Sequence, residues 1–202
     1  MTTLAETTRT RAKPLSSEDR RETIIDAVIP LIREHGRYVT TKQIAEAAGI
    51  AEGTIFRVFA DKEAVIEAAV DKFLDPAPLH RGLRAIDPQL PLEAKVNDIL
   101  FQMHSRMTGI MGMMQAIGMA GPPPRRQAPD TFTEIITEVL TPNLEQLELP
   151  PDRVASFIRL VSFASAIPHF NAGREIDTAD LARLITYGIV GAPAEGESTD
   201  AA

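Results

Sequence analysis

The sequence predicts an all-α protein of about nine helices, with a small three-helix unit near the N-terminus and a larger helical unit behind it. Three observations lead there. Apolar residues recur every three to four positions through most of the chain. No stretch alternates apolar and polar residues as a half-buried strand would. Proline and glycine stand where the apolar stripes end.

The first fifteen residues are rich in threonine and carry Arg9, Arg11 and Lys13 without apolar pattern, which reads as a flexible arm. Either it touches nucleic-acid phosphate or a minor groove, or it is a solvated tail. From Ser17 a stripe of Ile24, Ile25, Val28, Leu31 and Ile32 predicts a helix ending at Gly36. Ser17 is the expected N-cap, and Pro30 is expected to bend the helix by removing the bond to the Asp26 carbonyl.

Thr40 followed three residues later by Gln43 reads as a capping box that opens a helix from Thr41 to Ala48, closed by Gly49. A second short helix is expected from Glu52 to Phe59. Asp61 caps a fourth, with the stripe Val65, Ile66, Ala69, Val70 and Phe73. Further helices are expected at 79–86, 92–107, 109–119, 130–147 (broken near Pro142), 152–167 and 178–190, the last capped by Asp177 or Thr178. Pro122, Pro123 and Pro124 form a stiff loop, and residues 191–202 have the composition of a disordered tail.

The 202 residues carry a net charge of −7, but the charge is uneven. Residues 1–62 hold 10 Lys and Arg against 9 Asp and Glu, and the remainder holds 11 against 19. The acidity therefore lies in the C-terminal part, and the N-terminal part remains free to meet a polyanion. The chain has no cysteine, which excludes disulfides and thiolate metal sites and is compatible with the cytoplasm. Nothing has the length and apolarity of a membrane span or the form of a secretory signal. His35, His80, His104 and His169 are scattered without metal-ligand spacing, and no phosphate loop or nucleophile motif occurs. Neither a metal, a cofactor nor an enzymatic activity is expected, although an all-helical enzyme stands as one alternative.

Two short helices joined by a glycine turn under a longer helix define a helix-turn-helix, whose second helix has the dimensions of a major groove. The segments Thr40-Thr41-Lys42-Gln43-Ile44-Ala45-Glu46-Ala47-Ala48-Gly49-Ile50 and Gly53-Thr54-Ile55-Phe56-Arg57-Val58-Phe59-Ala60-Asp61-Lys62-Glu63-Ala64 carry this pattern. They resemble the TetR family of transcriptional regulators, with its Gly-Val-Ser turn, its Gly-Thr-Leu-Tyr-x-His-Phe helix and its Lys-Glu-Ala-Leu opening of the next helix. The resemblance covers residues 17–70. Two positions depart from it: Phe56 stands for the usual Tyr and Val58 for a frequent His.

The resemblance implies a ligand-responsive repressor without enzymatic activity, released from a palindromic double-stranded DNA operator by a small apolar molecule. Residues 16–62 would be the DNA-binding domain and 63–190 the ligand-binding and dimerisation domain. By matched position, Thr41, Lys42 and Lys62 are phosphate anchors or ordinary capping and surface groups. Glu52, Thr54 and Arg57 face the groove. Arg57 would meet guanine or phosphate, and Glu52 would accept from cytosine or serve only the helix N-terminus. Gly53 would admit close approach of the duplex, and Phe56 or Val58 would touch a thymine methyl.

A homodimer held by the last two helices is likewise implied, with Val154, Phe157, Ile158, Val161, Leu181, Leu184 and Ile185 as its apolar positions. Met103, Met107, Met111 and Met114 share one helical face and would line either an adaptable apolar pocket or a methionine-rich core, with Met113 and Met119 nearby. Phe101, Phe132, Ile136 and Phe163 would add walls, and His104, His169 and Asn171 polar anchors. The helix beginning at Asp61 would couple ligand to DNA. A ligand-binding helical dimer without DNA binding is the second alternative.

Overall fold

The computed structural model describes residues 16–119, 131–167 and 177–188. Arg9, Arg11, Lys13, the triple proline, His169, Asn171 and the C-terminal tail lie outside them. The described elements are helical, and they fall into two compact units divided between Phe73 and Leu74.

In the first unit, α1 spans Ser17–His35 and a 3-10 turn follows at Gly36–Tyr38. Ser16, rather than Ser17, is the N-cap: its hydroxyl accepts from the Asp19 amide at 3.0 Å and the Asp19 carboxylate accepts from the Ser16 amide at 3.2 Å. The two serines were indistinguishable by type; the acid three residues on selects Ser16. The helix runs unbroken through Pro30, which is exposed, so the carbonyl it frees can meet water. Helices α2 (Thr41–Ala48), α3 (Glu52–Ile55) and α4 (Lys62–Leu74) follow. Ile24, Ile25, Val28 and Ile32 of α1 are buried, as are Val39, Ile44, Ala45, Ile55 and Phe59. Burial of this branched aliphatic set is the main stabilising term of so small a unit, at about 1.5–3 kcal/mol per side chain. Lys72 of α4 bonds Glu22 and reaches Asp26 at 2.8 Å, which ties α4 to α1.

The second unit contains α5 (Ala77–Arg84), α6 (Leu92–Ala116), α7 (Thr131–Leu140), a 3-10 segment at Thr141–Gln146, α8 (Pro151–Ala166) and α9 (Thr178–Tyr187). The long α6 is its spine, packed on both α8 and α9, while α7 packs on α8 and α5. The expected break near Thr108 is absent: α6 carries Gly109 and Gly112 inside one helix, and Met113 and Met114 beyond them are fully buried. Burial outweighs the roughly 1 kcal/mol that each glycine costs a helix. The core joins Leu83, Ile99, Leu100, Ile135, Ile136 and Ile158. Lys95 is buried within the same unit, and its ammonium donates to the Asn143 side-chain oxygen at 2.6 Å.

Candidate nucleic-acid interface

The turn between α2 and α3 is built from local chemistry. Thr40 caps α2, accepting from the Gln43 amide at 3.2 Å while the Gln43 side chain accepts from the Thr40 amide at 2.8 Å. At the other end Gly49 adopts φ 66° and ψ 34°, the left-handed conformation that costs other residues about 1–2 kcal/mol. That geometry lets the Ile50 amide donate to the Ala45 carbonyl at 3.0 Å and turns the chain into α3. Ile44, Ala45 and Ile55 are buried, which fixes the two helices on one another.

The second short helix is briefer than expected. Regular α3 stops at Ile55, but the coil continues through Arg57 to Thr54, Val58 to Ile55 and Phe59 to Ile55 backbone bonds at 3.2, 3.0 and 2.9 Å. Phe59 is 6% exposed and lies under the Arg21 guanidinium, 4.8 Å from its ring centre, which anchors the end of this segment to α1.

What remains outside is a polar edge with one aromatic. Lys42, Glu52, Gly53, Phe56 and Arg57 are exposed, and Thr41, Thr54 and Lys62 are half-buried. The Thr41 hydroxyl donates to the Glu52 carboxylate, so Glu52 is held against the start of α2. Lys62 donates to the Arg37 carbonyl at 3.0 Å and stands 4.0 Å from Glu63. Phe56 is 52% exposed, with its ring available to an apolar group from outside. Among the described residues, nothing beyond its chain neighbours and its own helix backbone lies within 4 Å of a Cβ built on Gly53. Tyr38, which the sequence did not single out, is almost fully exposed beside this edge in the chain, just before Thr40.

In the second unit, Met103, Phe132 and Ile136 belong to the closed core, and Met114 is buried as well. Met107, Met111 and His104 are half-buried; one ring nitrogen of His104 lies 3.1 Å from the Ser165 hydroxyl. Phe101 and Phe163 point to solvent. Ile158 is fully buried, and Val154, Val161, Leu181 and Ile185 pack partly against the same core. Phe157 and Leu184 are exposed on α8 and α9 together with Leu160, Phe163 and Tyr187. The spacing Phe157, Leu160, Phe163 is itself a helical stripe, and that signal could have brought Leu160 and Phe163 to this face from the sequence.

A three-helix headpiece with this turn and this exposed edge is a helix-turn-helix protein. Residues 24–69 match the profile of the bacterial regulatory proteins of the tetR family. The chain is thus similar to this family over its headpiece, 46 of its 202 residues. It is 44% identical over 50 residues to the HTH-type transcriptional regulator YvkB of Bacillus subtilis, spanning 24% of this chain and 26% of that protein. It is 33% identical over 72 residues to the HTH-type regulator Rv0472c of Mycobacterium tuberculosis, spanning 36% of this chain and 31% of the relative. The likeness to these curated relatives thus covers about a third of their length or less. The fold extends further. The TetR regulator SCO0520 of Streptomyces coelicolor superposes with a TM-score of 0.52 at 20% identity, over 82% of this chain and 95% of that one. A structure described as the molecular basis for control of antibiotic production by bacterial hormones gives 0.54 at 18% identity, over 83% and 96%.

Proposed function

We propose that this chain is a homodimeric repressor that holds a palindromic DNA operator through the α2–α3 edge and is released by a small apolar molecule bound in its second unit. The observation that carries the DNA reading is Gly53. It is exposed at the start of α3 with open space where a side chain would stand, so the chain's own packing gives no reason for glycine. Close approach of an outside surface does give one.

The surrounding groups fit that surface. Lys42 and Lys62 serve as phosphate contacts, and Thr41 orients Glu52. Thr54, Arg57 and Phe56 offer a hydroxyl, a guanidinium and an apolar ring toward base edges. Two headpieces about 34 Å apart would read the two half-sites, and the exposed α8 and α9 face supplies the interface that joins them. Helix α4 runs to the boundary between the units and would carry the coupling, whose ordinary size of about 1–3 kcal/mol weakens DNA binding about 5- to 150-fold. Selection of bound fragments from genomic DNA, followed by anisotropy titration at several salt concentrations, tests the reading. Specific binding with a steep salt slope is expected. Uniformly weak binding to every fragment would leave a helical dimer that does not regulate DNA.

A further inference from the structure

In the described part of the first unit, two large apolar or aromatic side chains are exposed: Phe56 at 52% and Tyr38 at 90%. Phe56 belongs to the α3 edge already described. Tyr38 ends the 3-10 turn between α1 and α2 and has been given no role. Among the described residues its phenol makes no hydrogen bond and its ring no contact with another ring or a cation. The other tyrosine of the chain, Tyr187, has its phenol engaged by the Glu93 carboxylate. The turn that carries Tyr38 is nevertheless fixed. Val39, the next residue, is fully buried, and the Arg37 carbonyl accepts from the Lys62 ammonium at 3.0 Å. Thr40, two residues on, caps α2. A well-anchored backbone therefore holds a free phenol at the start of α2.

We propose that the Tyr38 phenol donates a hydrogen bond to a DNA backbone phosphate at the margin of the groove that α3 enters. The assignment rests on the regulator reading above and adds a positioning residue to it. When the second helix of a helix-turn-helix lies in the major groove, the first crosses the sugar-phosphate backbone, which brings the start of α2 against phosphates. Tyrosine hydroxyls are among the donors that such backbones accept. A rigid ring with two side-chain torsions loses little entropy when it is immobilised there. A side chain left almost wholly outside adds no packing to its own subunit, so stability gives no reason for an aromatic at this place. The charges around it suit a polyanion: Arg37 and Lys42 are exposed on either side in the chain, and Lys62 grips the turn itself. Glu34, the exposed acid one turn earlier, lies 3.8 Å from a ring nitrogen of His35.

Anisotropy titration of Tyr38→Phe beside the wild type, on fragments selected from genomic DNA, tests it. The variant should bind every fragment about 3- to 10-fold more weakly, the loss of one hydrogen bond. Its salt slope should be that of the wild type, because a neutral phenol releases no counterion. Its urea midpoint should also be unchanged, since the hydroxyl bonds nothing among the described residues. Fragments carrying a neutral methylphosphonate at single positions locate the contact. At one position in each half-site, the gap between wild type and variant should shrink to less than about twofold. Unchanged affinity in Tyr38→Phe would overturn the assignment. So would a loss accompanied by a lower urea midpoint, a loss confined to some base sequences, or a gap that no methylphosphonate closes. Each of these leaves specific binding by the wild type, and with it the operator reading, standing. A wild type that binds no fragment specifically would overturn both.

Discussion

The Lys62 ammonium donates to the main-chain carbonyl of Arg37 at 3.0 Å, joining the first residue of α4 to the turn that follows α1. The side chain is 30% exposed, so the same group that ties the headpiece together remains reachable by a phosphate. Lys62→Ala is expected to cost about 1 kcal/mol of stability. It should weaken all DNA sequences alike and reduce the salt slope by about one unit. Denaturant melts beside anisotropy titrations at several salt concentrations check both parts. Intact affinity in the variant would confine Lys62 to the structural role.

Gly53→Ala separates fold from function. The added methyl meets no other element among the described residues, and alanine favours a helix by up to about 1 kcal/mol over glycine, so stability should hold or rise. DNA affinity should nevertheless fall at least about tenfold, or about 1.4 kcal/mol. A stable variant with wild-type DNA affinity would remove the close-approach argument.

Lys72 makes stability fall in strong alkali. Its pKa is raised above 10.5 by hydrogen bonds to Asp26 and Glu22 and by their charges. The raised folded value means that the stabilisation is fully present below pH 10.5 and is lost as pH rises through the folded pKa. The group is 37% exposed, so at neutral pH the interaction is worth less than about 1 kcal/mol. Thermal melts between pH 9 and 12 should show a decline in the wild type that is reduced in Lys72→Met.

The buried Lys95 depends on Asn143. Asn143→Leu strands a fully buried ammonium and should cost about 3 kcal/mol. Lys95→Met removes the charge and leaves only a half-satisfied amide, so its cost should be smaller. Urea midpoints of the two variants rank the losses; the reverse order would show that the ammonium is satisfied by other means.

Leu160 is 62% exposed and lies on the face proposed for dimerisation. Leu160→Glu should leave the subunit folded, because the side chain packs on nothing essential to its own core, and should produce a monomer. Sedimentation at micromolar concentration checks this. A dimer that survives the substitution would place the interface elsewhere.

The headpiece was legible in the sequence because its devices are local. Thr40 with Gln43 specifies a helix start within four residues, and Gly49 specifies the left-handed stop by lacking a Cβ. Both appear where their spacing puts them. The expected division of α6 into helices at 92–107 and 109–119 was equally local, and there it failed. Burial of Met113 and Met114 is a non-local gain that a window of sequence does not contain. The buried pairing of Lys95 with Asn143 was equally invisible, since the two residues stand 48 positions apart.

The amino-acid order alone determined the helical class, the helix-turn-helix and the identity of the residues on its outer edge, because capping and periodicity act over a few residues. Tertiary structure decided which apolar side chains became core and which stayed outside. Phe132 is buried while Phe101 and Phe163 face solvent, although all three looked alike as candidate walls. Periodicity gives the direction in which a side chain leaves its helix, but only the packing of α6, α7 and α8 on one another decides which direction leads inward.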